Sequence, residues 1–232
     1  MKELIWRNET LPVSSRFDDP YYSVEDGQLE TRYVFVEGNK LPDRWADMSV
    51  CTIAELGFGT GLNFLETVSQ WRRFKVDGAS LRFHSFEQYP LSRSDMTRAL
   101  GAWPELATDT KALLEIWKPE RNCFQASFSD NVSLEVYFGD ANANLPKANF
   151  VADAWYLDGF SPAKNPQLWN ESLMMEVGKH CVAQGTFATY TAAGFVRRNL
   201  QKAGFVANKI KGFGRKREML VGMKQNDIDV VD

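Results

Sequence analysis

From residue 50 onward the chain alternates between short dense apolar runs and longer stretches with apolar residues three or four apart. Residues 50–55 predict a buried strand, and 62–73 carry Leu62, Leu65 and Val68, with Phe74 just beyond, near helical spacing. Residues 80–87 set Leu81, Phe83 and Ser85 against Arg82, His84 and Phe86, the period of a strand, and Ser92 or Ser94 is placed to cap a following helix. Residues 123–128 and 132–138 flank a Ser-Asp-Asn turn and predict a hairpin. Further strands are predicted over 151–157, 185–190, 205–210 and 219–223. One helix is predicted to open at Pro166 and run through Leu168, Leu173, Met174 and Val177, another to span 192–203 and stop at Gly204. This alternation is that of an α/β domain with a mainly parallel sheet.

The chain before residue 50 differs. Phe17-Asp18-Asp19-Pro20-Tyr21-Tyr22 is turn-rich and aromatic, and residues 31–36 predict a short strand. So few residues cannot bury a core of their own, so 1–49 are expected to form an N-terminal extension packed on a domain spanning 50–224. Residues 225–232 are polar and expected to form a loose tail.

An apolar fraction of 44% over 232 residues is ample for a core. The net charge of −3 points to no particular partner. Three scattered cysteines and two histidines argue against a disulfide framework, a zinc or histidine-rich metal site and a histidine-based triad. There is no apolar signal core, and no run approaches the roughly 18 apolar residues of a membrane span, so a cytoplasmic protein is expected.

The strongest local signal is Glu55-Leu56-Gly57-Phe58-Gly59-Thr60-Gly61-Leu62-Asn63, between a predicted strand and helix. Glycines let the backbone turn sharply and approach a ligand, and the helix offers free N–H groups. Dinucleotide folds use G-x-G-x-x-G here; this loop has G-x-G-x-G with a carboxylate two residues ahead of its first glycine. An acid in the crevice repels pyrophosphate but suits the ammonium of a methionine moiety, which favours S-adenosylmethionine over NAD. Glu55, Gly57, Phe58, Gly59, Thr60, Gly61 and Asn63 are therefore candidate cofactor residues, against the alternative of a bare tight turn. Glu87, ending the next strand, can accept both ribose hydroxyls, or be a solvated strand end. Asp140, in a Gly-Asp pair, can accept from an adenine amino group, or simply form a turn.

Asp158-Gly159-Phe160-Ser161-Pro162 follows a strand where open α/β sheets bind ligands. Asp158 can hold an amine and take the proton it sheds, and Phe160 can stack on a flat acceptor; both are candidate catalytic residues, with Asp158 also beside the donor. Pro162 and Lys164 are candidate substrate contacts; the alternative is an ordinary strand-to-loop corner.

Between Glu176 and Glu218 there is no acid, yet Lys179, Arg197, Arg198, Lys202, Lys209, Lys211, Arg215, Lys216 and Arg217 fall there. Such a run predicts an anion-binding face, or a solvated helix and loop. Arg197, Arg198, Lys211, Arg215, Lys216 and Arg217 are candidate RNA contacts, and Asp19, Tyr22 and Tyr33 candidates for closing the site.

These residues carry a family likeness. Pro12-Val13-Ser14, Phe17-Asp18-Asp19, Tyr22-Ser23, residues 30–35, Gly38-Asn39, 57–64, Ser85-Phe86-Glu87, 157–166, 193–198 and 211–220 resemble, in order, the methyltransferase domain of the bifunctional tRNA wobble-uridine modification enzymes, the MnmC family. The resemblance implies a class I methyltransferase: a Rossmann-like, mostly parallel seven-stranded sheet with an antiparallel strand near the C-terminus. It implies methylation of the exocyclic amine of 5-aminomethyl-2-thiouridine in the tRNA anticodon loop, with Gly57, Gly59 and Gly61 in the donor loop, Glu87 on the ribose and Asp158 on the amine. The segment between Asn39 and Val50 is short, and Leu56 stands where a small residue is usual. Family members continue into a flavin-dependent oxidase domain, so the chain is expected to be an excised domain or a stand-alone methyltransferase, binding neither flavin nor metal itself. The competing readings are a small-molecule or protein amine methyltransferase, an NAD-dependent oxidoreductase and a non-catalytic RNA-binding module.

Overall fold

A computed structural model describes residues 4–119, 122–129 and 131–226. Strands β1 (Leu4–Arg7), β2 (Leu11–Ser14) and β3 (Asp19–Pro20) form a small antiparallel sheet. Helices α1 (Gly27–Thr31) and α2 (Leu41–Trp45) follow, then β4 (Val50–Leu56), α3 (Leu62–Phe74), β5 (Ser80–Glu87), α4 (Arg93–Leu100) and α5 (Ala107–Ile116). The remainder is β6 (Cys123–Ser129), β7 (Val132–Phe138), α6 (Ala141–Asn144), β8 (Ala152–Leu157), α7 (Glu171–Lys179), β9 (Cys181–Thr189), α8 (Gly194–Lys202), β10 (Phe205–Ile210) and β11 (Met219–Lys224).

The main sheet runs β10-β11-β9-β8-β4-β5-β7-β6. Its centre is parallel, while β11 is antiparallel to both its neighbours and β6 is antiparallel to β7. The class expected from the sequence holds, with eight strands in place of seven because the predicted hairpin adds β6 as an edge. Both faces of the sheet are covered, which explains the dense apolar runs of its strands. Ile53, Phe83 and Tyr156 face α3 and the N-terminal residues Val34, Phe35 and Trp45 in one buried cluster. Ala54, Leu56, Trp155 and Leu157 lie in a second, with Leu173 and Val177 of α7 and Leu200 of α8.

Two predicted elements change. Residues 31–36 are not a strand: α1 runs straight into a π-helical turn over Arg32–Glu37, closed by Gly38 N–H to the Tyr33 carbonyl at 3.2 Å. The β-branched and aromatic run reads as a strand locally, but Asp26 caps α1 by accepting from Leu29 N at 3.0 Å, and Val34, Phe35 and Val36 are all buried. Packing on consecutive positions overrides propensity here. The helix expected from Pro166 is split into a 3₁₀ turn over Pro166–Trp169 and α7, because Asn170 adopts an extended backbone and its side chain caps α7 through Leu173 N at 2.8 Å. The turn residue Asp130 and the tail from Asp227 lie outside the described residues.

The strand order positions the site. From β4 the chain moves to β5 and β7 on one side, then crosses to β8 on the other, so the carboxyl ends of β4 and β8 flank the point where the direction of winding reverses. A crevice opens there in open α/β sheets. Helix α1 brings Glu30 and Thr31 over that crevice, so Asp26→Ala, which removes its cap, is expected to cost about 1 kcal/mol in urea unfolding. An unchanged midpoint would show that the cap carries no weight.

Candidate functional site

The crevice is a cavity of about 600 Å³, within the range of small-molecule sites. Its floor is the glycine loop. Gly57 has φ +87°, and a Cβ there would come within 3.1 Å of the Gly159 backbone, so the loop after β4 and the corner after β8 touch too closely for side chains. Gly59 has φ +55° and a Cβ would press on Tyr21 at 3.2 Å, which places the N-terminal segment as the opposing wall. Glu87, buried at the end of β5, accepts from Gly59 N at 2.8 Å on one oxygen and from Tyr89 N at 2.7 Å on the other. Each oxygen keeps a lone pair for a further donor. Burial raises its carboxyl above the usual range, opposed by those backbone donors.

Asp158 lies across the crevice from Glu87, half-buried at the end of β8. Its Oδ1 accepts from Gly159 N and its Oδ2 from the Asn63 amide, both at 2.8 Å. Burial pushes its pKa up to about 7 against these two donors, with Glu30 raising it further and Lys216 lowering it. The same Asn63 amide donates to Glu55 at 2.9 Å, and Asn63 Oδ1 accepts from Thr31 at 2.6 Å. The Asp158 corner is pinned from several sides: Tyr190 donates to the Gly159 carbonyl at 2.9 Å, Trp169 to the Phe160 carbonyl at 3.0 Å, and Ser161 N to Asp19 at 2.8 Å. A fixed carboxylate titrating near neutrality at a cavity wall can hold a cation or accept a proton.

The predicted site residues divide. Gly57, Phe58, Gly59, Thr60, Asn63, Glu87, Asp158, Phe160, Asp19, Tyr22, Arg215 and Lys216 all line the cavity. Phe58 also stacks on Trp117 at 5.0 Å, and one face of Phe160 is covered by Phe17 at 4.6 Å. Gly61, φ +83°, opens α3 just behind the lining. Glu55 is corrected: it is fully buried beneath the crevice, accepting from Asn63 and from Ser85 at 2.7 Å, and burial lifts its pKa to about 8. It acts on the cavity through Asn63, not as a carboxylate facing a ligand. Asp140 is exposed and spends its oxygen on Asn142 N at 2.9 Å as the cap of α6, leaving Gly139 and Ala141 at the cavity. Pro162 is buried outside the lining. Lys164 is likewise outside it, held by the Asp18 carbonyl and 3.5 Å from Asp19. Tyr33 donates to the Lys211 carbonyl at 2.9 Å, tying the π-helical turn to the C-terminal loop without reaching the cavity.

The basic run is partly neutralised in the fold. Acids from elsewhere in the chain meet five of its nine cations: Glu176 pairs Lys179, Glu171 pairs Lys202, Glu218 pairs Lys209, Glu25 lies 3.4 Å from Arg215 and Glu30 2.7 Å from Lys216. Arg197, Arg198, Lys211 and Arg217 carry no ion pair among the described residues, and none of the four lines the cavity. Linear spacing does not reveal these partners, nor Glu30, Thr31 and Tyr190 as cavity residues, because α1 and the end of β9 reach the cavity only through the fold.

A doubly flanked glycine loop, an acid ending the second strand and a pinned acid at the switch point define a nucleotide-type cofactor site on an α/β sheet. A family model described as S-adenosyl-L-methionine-dependent methyltransferase matches residues 104–225, more than half of the chain, and the chain belongs to that family. It is 47% identical over 230 residues to the tRNA 5-methylaminomethyl-2-thiouridine biosynthesis bifunctional protein MnmC of Aeromonas hydrophila subsp. hydrophila, covering 94% of this chain and 35% of that protein. The MnmC protein of Vibrio campbellii is 45% identical over 242 residues, covering 97% of this chain and 36% of that protein. The chain therefore spans about a third of the length of the curated relatives it matches. The crystal structure of MnmC2 from Aquifex aeolicus shares the fold, with a TM-score of 0.73 at 23% identity over 95% of this chain and 69% of that one.

The residues present fit the family's cofactor. Glu87 keeps acceptor capacity on both oxygens for a vicinal diol, and Asp158 faces the same cavity with a carboxylate suited to a cationic neighbour. When bound, the sulfonium would supply an electrophilic methyl carbon; this chain presents an aromatic wall and the Asp158 carboxylate to the same cavity.

Glu55 yields a stability test. Unfolded it ionises near the ordinary glutamate value of 4.5, folded near 8, so the folded chain holds the extra proton between these values. Stability is full below the lower value and falls as pH rises through the window, by up to about 1.4 kcal/mol per pH unit. Between pH 6 and 8 the wild type is expected to lose stability about 1 kcal/mol per unit more steeply than Glu55→Gln. Parallel curves in chemical denaturation would contradict this.

Proposed function

We propose that this chain transfers the methyl group of S-adenosylmethionine to the exocyclic amine of 5-aminomethyl-2-thiouridine at the wobble position of the tRNA anticodon, giving the 5-methylaminomethyl product. The observation that carries the reading is Asp158, a carboxylate pinned at the cavity wall by Gly159 N and the Asn63 amide, where burial raises its pKa toward neutrality. The 47% identity to an MnmC protein supports the choice of acceptor.

In this reading Asp158 would take a proton from the acceptor nitrogen and hold that nitrogen with its lone pair free toward the methyl group that bound S-adenosylmethionine would supply, S-adenosylhomocysteine being the leaving group. Alignment supplies most of the acceleration, since an in-line displacement by an amine needs little other proton transfer. An anticodon loop suits the site because splayed single-stranded bases can enter a cavity, whereas paired ones cannot. Arg197, Arg198, Lys211 and Arg217 are the cations left for its phosphates. Residues 1–49 act as an extension that walls the cavity of a domain over 50–224, and a flavin-dependent oxidase is the partner that supplies the amine. Among the described residues no helix is long and apolar enough to cross a membrane, which is compatible with a cytoplasmic site of action.

Labelled methyl transfer to tRNA carrying aminomethyl-uridine, with unmodified tRNA as control, tests the acceptor; equal incorporation into both rejects it. Asp158→Asn is expected to lower kcat/KM by about a hundredfold or more while calorimetric binding of the donor changes little. Retained transfer would remove Asp158 from the chemistry. Four phosphate contacts to a single-stranded loop predict a slope of about −3 in log K against log salt. A slope near zero would favour a small-molecule or protein amine instead.

A further inference from the structure

The acceptor side of the cavity holds more charge than Asp158 alone. Glu30, on α1, is buried and lines the cavity; its Oε1 meets Lys216 Nζ at 2.7 Å and its Oε2 accepts from Ser23 N at 3.0 Å. Lys216 also lines the cavity, and its ammonium sits 4.3 Å over the ring of Tyr190. Tyr190 in turn donates to the Gly159 carbonyl, one residue from Asp158. Three ionisable side chains from segments far apart in sequence thus converge on one wall, linked through one aromatic ring.

Stability alone is a poor account of this convergence, because an ion pair whose lysine side chain is 43% exposed contributes little. The charge count is more telling. Glu30 and Lys216 balance each other, so an ionised Asp158 leaves one negative charge in excess beside an aromatic wall. Excess charge in such a place is relieved by a cation.

We propose that Glu30 is the second carboxylate of the acceptor subsite and Lys216 its counterweight, so that the site selects an acceptor arriving as an aliphatic ammonium over a neutral group of the same shape. The inference rests on the amine-methylating function above. Aliphatic amines are largely protonated near neutral pH. The ammonium enters between the two carboxylates and passes one proton to Asp158 at the sheet edge, while Glu30 stays paired with Lys216 at 2.7 Å. The freed lone pair then attacks, and the product leaves as the methylated ammonium. A hydroxymethyl group in the same place gains no ionic contact and has no proton to give up at this pH.

Asp158 is faced by Glu30 from α1, Lys216 from the loop before β11, Glu55 of β4 through Asn63 of α3 and Tyr190 after β9, with Glu87 of β5 across the crevice. Of these, Glu30 and Lys216 act on its charge in opposite senses. Removing them should move its ionisation in opposite directions, which a packing role does not predict.

The test uses the whole chain, an anticodon stem-loop bearing 5-aminomethyluridine as acceptor, and the 5-hydroxymethyluridine stem-loop as competitive inhibitor. Wild-type transfer is the first arm; its absence defeats the function above and this inference with it. Given transfer, Glu30→Gln is expected to raise KM for the amine about tenfold, leave inhibition by the hydroxymethyl stem-loop within about twofold, and move the acidic limb of the kcat/KM profile to lower pH. Lys216→Met is expected to move that limb to higher pH, and Glu30→Asp to restore most of the KM. Equal weakening of both stem-loops by Glu30→Gln, or limbs moving the same way in both variants, overturns the inference while leaving the methyl-transfer function standing.

Discussion

One side-chain amide organises this molecule's chemistry. Asn63 sits at the start of α3 and donates to Glu55 beneath the crevice and to Asp158 at its wall, at 2.9 and 2.8 Å. Two carboxyl groups sharing one amide cannot both be charged cheaply away from water. The deeper one, Glu55, stays protonated to higher pH, and the shallower one, Asp158, is left as the group that titrates near neutrality. The glycine loop brings β4 and the β8 corner close enough for this bridge, and Thr31 fixes the amide's orientation by donating to its oxygen.

That arrangement explains what was legible in the sequence. The acid, the three glycines and Asn63 lie within nine consecutive positions, so strand, turn and helix announce themselves locally, and Glu87 and Asp158 each follow directly on an apolar strand. The parallel core, the hairpin and the antiparallel β11 all follow from periodicity and turn residues close in sequence. What failed was long-range. The Thr31–Val36 run looks like a strand because its residues favour strands; only burial of Val34, Phe35 and Val36 together, against a sheet more than a dozen residues away, makes it helical. Glu55 was placed in the cavity because it precedes the loop, yet alternation along β4 turns it under the floor toward Ser85.

Charge is the second lesson of the same kind. A stretch with nine cations and no acid is strongly basic along the chain, but folding brings Glu25, Glu30 and Glu171 from distant segments onto it. The loop after β10 is thereby fastened to the N-terminal segment: Arg215 and Lys216 face α1 and its approach, Tyr33 holds the Lys211 carbonyl, and Phe213 lies 6.1 Å from Tyr33. The two ends of the chain, which the sequence presents as an extension and a basic patch, close one cavity between them. The cations of this run without an ion pair among the described residues lie outside that cavity, on α8 and at the ends of the loop.

The protein holds Asp158 at a wall where burial raises its carboxyl close to neutral pH. A carboxyl-carbon NMR titration of the intact chain, with the Asp158 resonance assigned by its loss in Asp158→Asn, reads this directly. The account predicts a midpoint near 7. A midpoint near the ordinary aspartate value of about 4 would mean that the carboxylate is solvated and free of the Asn63 bridge, and would contradict the chemistry assigned to the site.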